Sequence, residues 1–303
     1  KRAIVIILAA LLIMTATNTY LILEGTRLAN TTNAVNYDFV LSQDGGTYKL
    51  KNSYTGYISE HPKSASSALN AALSQGKSIY LNPGTYEATI QGNGHKIVVY
   101  GDDYTKSQDA LISGLTIINA TVRVENSFAT TITNTKFINA STGIEFANTN
   151  TWSEYNKVEN CHFINNTEGI AFRTPVNGTQ IGKDLGNATG SYASSVIERC
   201  YFNLQDFTVG ISVEKWAEFS DSQIQNVRFW MGENEYRSNQ TGLHVDGSMY
   251  QTLLFGVVFE CFTSDPIYIF AIDLGENCDP APILDGGVSF LGNWTARIHN
   301  PFG

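Results

Sequence analysis

The chain has little charge, and the charge that it has is mostly negative. Only 16% of its 303 residues are charged, and 28 acidic residues outnumber 19 basic ones, for a formal net charge of -9. Proteins that bind DNA or RNA instead carry basic surfaces that neutralise phosphates. We therefore expect no nucleic-acid partner.

The chain also has few residues suited to metal or thiol chemistry. Its five histidines and four cysteines do not follow the spacings of metal sites. No metal, cofactor or catalytic residue is predicted. Cys161 and Cys200 are predicted to be buried thiols, because free cysteine is among the most buried residue types. Cys261 and Cys278 either form a disulfide, which an extracellular location would permit, or remain separate.

A long hydrophobic run occurs at the N-terminus. Residues 3–23 (AIVIILAALLIMTATNTYLIL) follow Lys1 and Arg2 and contain no charged side chain before Glu24. Their length matches a bilayer-spanning helix. We expect a hydrophobic helix over residues 1–25 and a polar linker over 26–37, with a filament core, a membrane anchor and an uncleaved signal peptide as open alternatives. The residues expected to pack in an assembly are Ala3, Ile4, Val5, Ile6, Ile7, Leu8, Leu11, Leu12, Ile13 and Met14.

This N-terminal pattern resembles the type IV pilins and archaellins, which retain an apolar helix after processing. The resemblance implies a homopolymer in which copies of the helix form the core, after passage through a membrane. The chain departs from that family in keeping Lys1 and Arg2 in front of the apolar run.

After residue 37 the pattern changes to short strands and turns. DFVLSQDGGTYKL (38–50) predicts a hairpin around Gly45 and Gly46. SASSALNAALSQG (64–76) predicts a short amphipathic helix between a serine and a glycine cap. SIYLNPGTYEATI (78–90) predicts a strand, a Pro-Gly turn and another strand.

These segments together resemble the first part of pectin-lyase-like right-handed β-helix proteins, many of which are archaeal surface proteins. The resemblance implies a parallel β-helix over residues 38–303, with the helix near 64–76 covering its N-terminal end. The predicted fold class is therefore mostly β, with an N-terminal hydrophobic helix followed by a right-handed parallel β-helix. An immunoglobulin-like β-sandwich is the alternative.

An internal repeat favours the β-helix independently. TKFINASTGIEF (135–146) and CHFINNTEGIAF (161–172) align without a gap. A first inward column is predicted at Ile117, Phe137, Phe163, Phe202, Phe229, Phe259 and Phe290, each preceded two residues earlier by a small or apolar residue. A second inward set is predicted at Val122, Val124, Ile144, Phe146, Ile170, Phe172, Ile211, Val213, Leu243, Val245, Ile267 and Ile269. Repeats of this kind add strands while loops of variable length leave between them.

Eight Asn-x-Ser/Thr sequons occur in the chain. Asn119, Asn139 and Asn165 follow the first inward column by two residues, so they are predicted to form a buried ladder of stacked amides. The remaining five are candidate glycosylation sites. They are Asn30, Asn177, Asn187, Asn239 and Asn293.

The outward positions predict no catalytic site. Beside the first column stand Lys136, His162, Tyr201 and Arg228, and beside the second Arg123, Glu145, Ala171, Ser212, His244, Tyr268 and Arg297. These rows hold a single carboxylate, whereas glycosidases need two carboxylates and uronate lyases need a basic residue, usually with calcium. Asp246 lies near His244 in the sequence and is the nearest approach to a catalytic pair. A solvent-exposed strand end explains this aspartate equally well.

We therefore expect a structural subunit of an extracellular, pilus-like adhesion filament at the cell surface, with the β-rich domain outside. Its expected partners are copies of itself, and also surfaces or glycans. The alternative is a membrane-anchored polysaccharide-active enzyme, either a lyase or a glycoside hydrolase, since the fold alone does not decide function.

Overall fold

The computed structural model describes residues 38–73, 79–81, 85–89, 96–100, 111–119, 121–124, 129–148, 152–174, 190–232 and 236–302. A boundary after residue 36 divides the chain into two units, and all the described residues belong to the second. The predicted N-terminal helix and linker lie outside the described residues.

The described part begins with an antiparallel hairpin. Strands β1 (Phe39–Asp44) and β2 (Thr47–Asn52) pair across Gly45 and Gly46, which both have positive φ. Two successive residues with positive φ form the turn that best matches strand twist in a two-residue hairpin. The predicted hairpin is confirmed.

A four-stranded sheet and one helix follow from this hairpin. The sheet has the order β3 (Ile58–Pro62), β2, β1 and β4 (Ile79–Leu81). Helix α1 (Ala65–Leu73) begins after Ser64, whose Oγ accepts a hydrogen bond from Ser67 N at 3.1 Å, as an N-cap does. Ala68, Leu69 and Ala72 form its buried face. The predicted helix and its serine cap are confirmed, and Gly76 lies outside the described residues.

The rest of the chain forms three long sheets of stacked strands. The first has the order β27 (Ile283–Leu284), β24 (Leu253–Phe255), β21 (Gln223–Gln225), β18 (Val196–Glu198), β14 (Lys157–Glu159), β10 (Thr131–Thr133) and β7 (Leu111–Ser113). The second has the order β28 (Ser289–Gly292), β25 (Val258–Cys261), β22 (Arg228–Trp230), β19 (Tyr201–Asn203), β15 (His162–Ile164), β11 (Lys136–Ile138) and β8 (Thr116–Ile118).

The third sheet is the widest. It has the order β29 (Ala296–His299), β26 (Asp265–Leu274), β23 (Tyr236–Val245), β20 (Thr208–Val213), β16 (Glu168–Arg173), β12 (Thr142–Ala147), β9 (Val122–Val124), β6 (Lys96–Tyr100) and β5 (Thr85–Thr89). Its last two pairings, between β9, β6 and β5, are antiparallel. A separate parallel pair joins β13 (Ser153–Glu154) to β17 (Tyr192–Ala193).

Each passage of the chain adds one strand to each long sheet. We call such a set of three strands a triplet, and seven triplets stack from β7–β9 to β27–β29. Pairing between successive triplets is parallel throughout. The protein is therefore a stack of mostly parallel β-sheets, an arrangement compatible with a β-helix.

The predicted fold class needs one correction. The mostly-β part is confirmed, but the part of the chain that the structure describes contains a single short helix, α1, and no long apolar helix. That part of the chain holds no helix that is long and apolar enough to span a membrane. An N-terminal hydrophobic helix is therefore not a feature of the described fold, and residues 3–23, for which it was predicted, lie outside it.

The predicted phenylalanine column is confirmed. The rings of Phe137, Phe163, Phe202, Phe229, Phe259 and Phe290 stack in that order, with centroids 4.6 to 5.4 Å apart. Ile117 pairs with Phe137 and extends the column. The inward residues two positions earlier are buried as predicted, except for Val288 in the last triplet, which is half-buried. This column forms the centre of the core.

Glycines lie opposite these rings. A Cβ atom added at Gly143, Gly169, Gly210 or Gly242 would lie 2.5 to 2.9 Å from a ring carbon of Phe163, Phe202, Phe229 or Phe259, respectively. Real Cβ contacts are longer, so only glycine lets these strands of the third sheet approach the rings. We call this set the glycine column.

The corners of the stack use left-handed backbone. Asn119, Asn139 and Asn165 have φ of 56°, 56° and 55°, and each backbone N–H donates to a carbonyl of the next triplet. Asn139 and Asn165 are exposed and Asn119 is half-buried, so the predicted buried ladder of these amides is wrong. Asparagine recurs at these corners because it adopts positive φ more readily than most residues.

A buried polar ladder does exist, next to a different corner. Asn156 Oδ1 accepts from Thr130 N at 3.0 Å, Ser195 Oγ from Asn156 N at 3.3 Å, and Ser222 Oγ from Ser195 N at 2.9 Å. Each inward side chain thus satisfies a backbone donor of the preceding triplet. This matters because an unsatisfied buried N–H is costly.

The second inward set is confirmed up to Val245, and beyond it Ile269 is buried as predicted, whereas Ile267 is not. Leu243 pairs with Ile272, and Ile267 instead pairs with Ser238 and is 46% exposed. The run IYIFAIDL offers several apolar pairs, and β23 and β26 have ten residues each, so spacing alone does not identify the inward pair.

Candidate functional site

The outer face of the third sheet carries a row of mostly polar side chains, of which Arg123, Ala171 and Ser212 are buried. Pairing between strands aligns Arg123, Glu145, Ala171, Ser212, His244, Asp273 and His299 in seven successive strands. Neighbouring members lie about 4.8 Å apart at the strand spacing. The row was predicted correctly through His244, but it continues with Asp273 and His299, whereas Tyr268 and Arg297 were predicted.

One end of the row is a cluster of two arginines and three glutamates. Arg123 Nη1 lies 3.3 Å from Glu145 Oε1. Arg173 pairs with Glu168, lies 2.7 Å from Glu214 Oε1 through its Nε, and lies 3.8 Å from Glu145. The prediction of a single carboxylate in the outward rows is wrong, because Asp273 also stands in the row, while Glu168 and Glu214 reach the cluster from outside it.

The carboxylates of this cluster differ in their surroundings. Burial raises the pKa of Glu145, although the charges of Arg123 and Arg173 oppose the shift. Glu168 accepts hydrogen bonds from Thr142 Oγ1 and Ser212 Oγ, both at 3.1 Å, in addition to its pairing with Arg173. Two carboxyl groups in unlike environments are the usual requirement for general acid and base roles.

The other end of the row joins two histidines through one aspartate. Asp273 Oδ2 lies 2.9 Å from His244 Nδ1, and Asp273 Oδ1 lies 2.7 Å from His299 Nδ1. The hydrogen bond to Asp273 raises the pKa of His244. Burial opposes the effect, but hydrogen bonds from both histidines hold the pKa of Asp273 below its ordinary value. This motif links the last three strands of the sheet.

Asp246, which was weighed as a partner of His244, has a structural role. Its Oδ1 accepts hydrogen bonds from Asn277 N and Asn277 Nδ2, both at 3.0 Å. These bonds fix the turn after β26. Aspartate commonly holds turns in this way.

The predicted first outward row is confirmed. Lys136, His162, Tyr201 and Arg228 are in register on β11, β15, β19 and β22. Burial lowers the pKa of His162. Arg228 pairs with Glu260, which lies on the next strand. These contacts are ion pairs and ring contacts between neighbouring strands.

The candidate glycosylation sites fall into two groups. Asn30, Asn177 and Asn187 lie outside the described residues. Asn239 and Asn293 are exposed, and Asn293 Nδ2 donates to Thr263 O at 2.9 Å. Their modification stays a prediction.

The predicted disulfide between Cys261 and Cys278 is not present. Cys261 ends β25 and Cys278 follows β26, a strand of ten residues that lies between them. Cys161 and Cys200 are buried as predicted, and burial raises the pKa of Cys200 well above its ordinary value.

Among the described residues, no group of three or more His, Cys, Asp and Glu side chains has the arrangement of a metal site.

Comparison with known proteins gives no relative. The chain matches no protein-family model, no curated protein and no solved structure at a significant level. The residues of the outer face and the stack that carries them are therefore the features that bear on function.

Proposed function

We propose that the chain is a structural subunit of an extracellular adhesion filament and that it polymerises with copies of itself. The stacked domain would be a right-handed parallel β-helix of the pectin-lyase-like class, displayed on the outside of the assembly. Crossover connections between parallel strands are right-handed in nearly all proteins, which supports this handedness.

The observation that carries the proposal is the continuous core of the stack. Six phenylalanine rings run through successive triplets without a break. Each triplet packs on its neighbours, so the stack behaves as a stiff rod, as solenoid proteins do. A stiff domain suits display at a distance from the cell.

The outer face supports the same proposal. In the cluster around Arg173, each glutamate already pairs with an arginine, and Asp273 is held by two histidines. Such mutual pairing links neighbouring strands and uses most of the charges of this row in contacts between them. If the rotation that relates one copy to the next does not close into a ring, repeated contacts between copies give an open filament.

Imaging of the native cell surface tests this proposal. Antibodies raised against residues 38–303 should decorate filaments, with label spaced regularly along each one. Label confined to single molecules on the membrane would contradict the proposal.

A polysaccharide-active enzyme is the second candidate, and one observation favours it. Burial raises the pKa of Glu145, and Glu145 shares Arg173 with Glu168, so two carboxyl groups lie close together as in a pair of catalytic carboxylates. Glycan cleavage should be assayed with wild-type protein and with Glu145→Gln. Cleavage that the substitution abolishes would establish the enzyme, and Glu276→Gln, at an exposed glutamate, is the matched control.

A further inference from the structure

Three exposed residues at one corner of the stack lie side by side. In three neighbouring strands, Thr208 pairs with Gln240, and Gln240 pairs with Ile269. The residues that precede these three in the chain are therefore also in register, and they are Phe207, Asn239 and Tyr268. Asn239 is therefore one strand spacing, about 4.8 Å, from the backbone of each aromatic residue.

The two aromatic residues are unusual for their position. Phe207 is 70% exposed and Tyr268 62% exposed, and their φ angles are 60° and 53°. Large apolar rings favour burial, and bulky residues favour negative φ. Two such rings on either side of one residue offer apolar surface that a ligand at this corner can cover.

The residue between them is the acceptor of a sequon. Asn239-Gln240-Thr241 places Asn239 outward with φ of 54°, while Gln240 is fully buried and Thr241 half-buried. The Asn239 side chain is exposed to solvent. Its amide nitrogen is thus available for modification.

We propose that Asn239 carries an N-linked glycan whose first sugar ring packs between Phe207 and Tyr268. Two strand spacings separate the aromatic residues by roughly 9.6 Å. A ring held in contact on both faces needs about 7 to 8 Å between its neighbours, because carbon atoms touch at about 3.5 to 4.0 Å. The space between the aromatic residues therefore fits one pyranose, whose apolar faces would cover both rings.

The attachment step is an ordinary glycosyl transfer. The Asn239 Nδ2 atom forms a bond to the anomeric carbon of a lipid-linked oligosaccharide, and the anomeric carbon–oxygen bond to the lipid phosphate breaks. The phosphate leaves with the electron pair, and the amide nitrogen gives up one proton to a base. An oligosaccharyltransferase that reads Asn-x-Ser/Thr catalyses this step.

The inference rests on the proposed extracellular location, where the chain meets such an enzyme. It does not depend on filament formation. Filaments that lack a glycan at Asn239 would sink only the inference, and a glycan on a protein that never polymerises would sink only the proposed filament.

The test compares solvent access to two tyrosines in the full chain, secreted by a eukaryotic host. Glycopeptide mapping should find Asn239 occupied. Tyr155 is the matched control, because it is also 62% exposed and has φ of 58°. Nitration with tetranitromethane should modify Tyr268 in the Asn239→Gln variant about three-fold faster than in the glycosylated wild type, because the sugar covers its ring. Tyr155 should react equally in both proteins.

A thermal cycle gives an independent measurement. Asn239→Gln should lower the Tm of the wild type, and should lower it much less in the Phe207→Ala background, where one wall of the site is missing. An unoccupied Asn239 in folded secreted protein overturns the proposal. A glycan at Asn239 that leaves Tyr268 unprotected also overturns the proposal. Protection of Tyr268 in Asn239→Gln by added free oligosaccharide overturns it as well, because it would assign the corner to an external saccharide.

Discussion

At the scale of single residues, Gln240 is a buried side chain without a partner among the described residues. It is fully buried, and neither its Nε2 nor its Oε1 makes a hydrogen bond within that part of the chain. Its neighbours in the adjacent strands are Thr208 and Ile269, which are also buried. A buried amide of this kind destabilises the fold by the cost of removing it from water.

Replacing this amide by an apolar group of similar size should stabilise the protein. Gln240→Met should raise the free energy of unfolding by about 1 to 3 kcal/mol, the usual cost of an unsatisfied buried polar group. Chemical denaturation followed by circular dichroism measures it. Gln223→Met, at an exposed position of β21, is the control and should change little. Destabilisation by Gln240→Met would show that the amide has a partner such as a bound water.

The left-handed corners make a second prediction for single residues. Asn139→Ala should lower the free energy of unfolding by about 1 to 2 kcal/mol, because alanine pays the full steric cost of positive φ. Asn139→Gly should be close to neutral, because glycine adopts that conformation without strain. The same denaturation experiment distinguishes the two variants. Equal effects of both would mean that the side chain, and not the backbone angle, selects asparagine here.

At the scale of strands, the glycine column lets β20 approach the phenylalanine rings. Gly210→Ala should destabilise the protein by about 1 to 3 kcal/mol, the usual cost of overpacking a core. The added Cβ would lie 2.5 Å from Phe229 Cε1. Gly286→Ala is the matched control, because its Cβ would meet its nearest atom, in Phe255, at 3.4 Å. Thermal unfolding of the two variants checks the difference, and equal Tm values would contradict it.

The link between β23, β26 and β29 should make stability depend on pH. Because the pKa of His244 is raised in the folded protein, its contribution to stability is complete below the ordinary histidine pKa of about 6.5. That contribution is lost as the pH rises through the raised pKa. The lowered pKa of Asp273 means that its contribution is present above the ordinary value of about 3.9 and is lost as the pH falls through the lowered value. The link is therefore strongest between about pH 4 and 6.5.

The measurement is the Tm of the wild type minus the Tm of His244→Asn, taken within this pH range and above it. The difference should be largest between about pH 4 and 6.5 and should shrink at higher pH. His162→Asn is the control, because burial lowers the pKa of His162 and its contribution grows as the pH rises. A difference for His244→Asn that does not vary with pH would count against the ionised pair with Asp273.

Strand registers show what the sequence can predict and what it cannot. The first inward column was found because phenylalanine recurs at one position of each three-residue strand, with few other candidates nearby. The second column failed at β26, where Ile267, Ile269 and Ile272 compete and only the pairing of the strands selects Ile272. Asp273 and His299 were missed for the same reason, because their places in the row follow from that register.

The paired charges were beyond sequence reasoning for another reason. Arg173, Glu168 and Glu214 are distant from Arg123 in sequence and meet through side chains that reach across two or three strands. Alternation along a strand identifies which side chains point outward. It does not say which of them touch.

At the scale of the whole molecule, each triplet contacts the triplets on either side of it. Phe202 stacks on Phe163 and Phe229, whereas Phe290, in the last triplet, stacks on Phe259 alone. Phe202→Ala should therefore lower the free energy of unfolding by about 3 to 5 kcal/mol, and Phe290→Ala by less. Hydrogen exchange should show protection lost throughout the stack for the first variant and only near its C-terminal end for the second. Uniform loss in both would mean that the stack unfolds as one unit.

The in-register match of Thr135 with Cys161 and of Phe137 with Phe163 has a consequence for how such a protein changes length. The two segments are 26 residues apart, and each presents the same inward rings, the same corner and the same strand edges to its neighbours. A duplication in the gene that inserted one more such segment would create no new kind of contact, and it would lengthen the rod by about 4.8 Å. Reach is thus the property that this architecture can adjust in uniform steps, while every existing contact keeps its geometry.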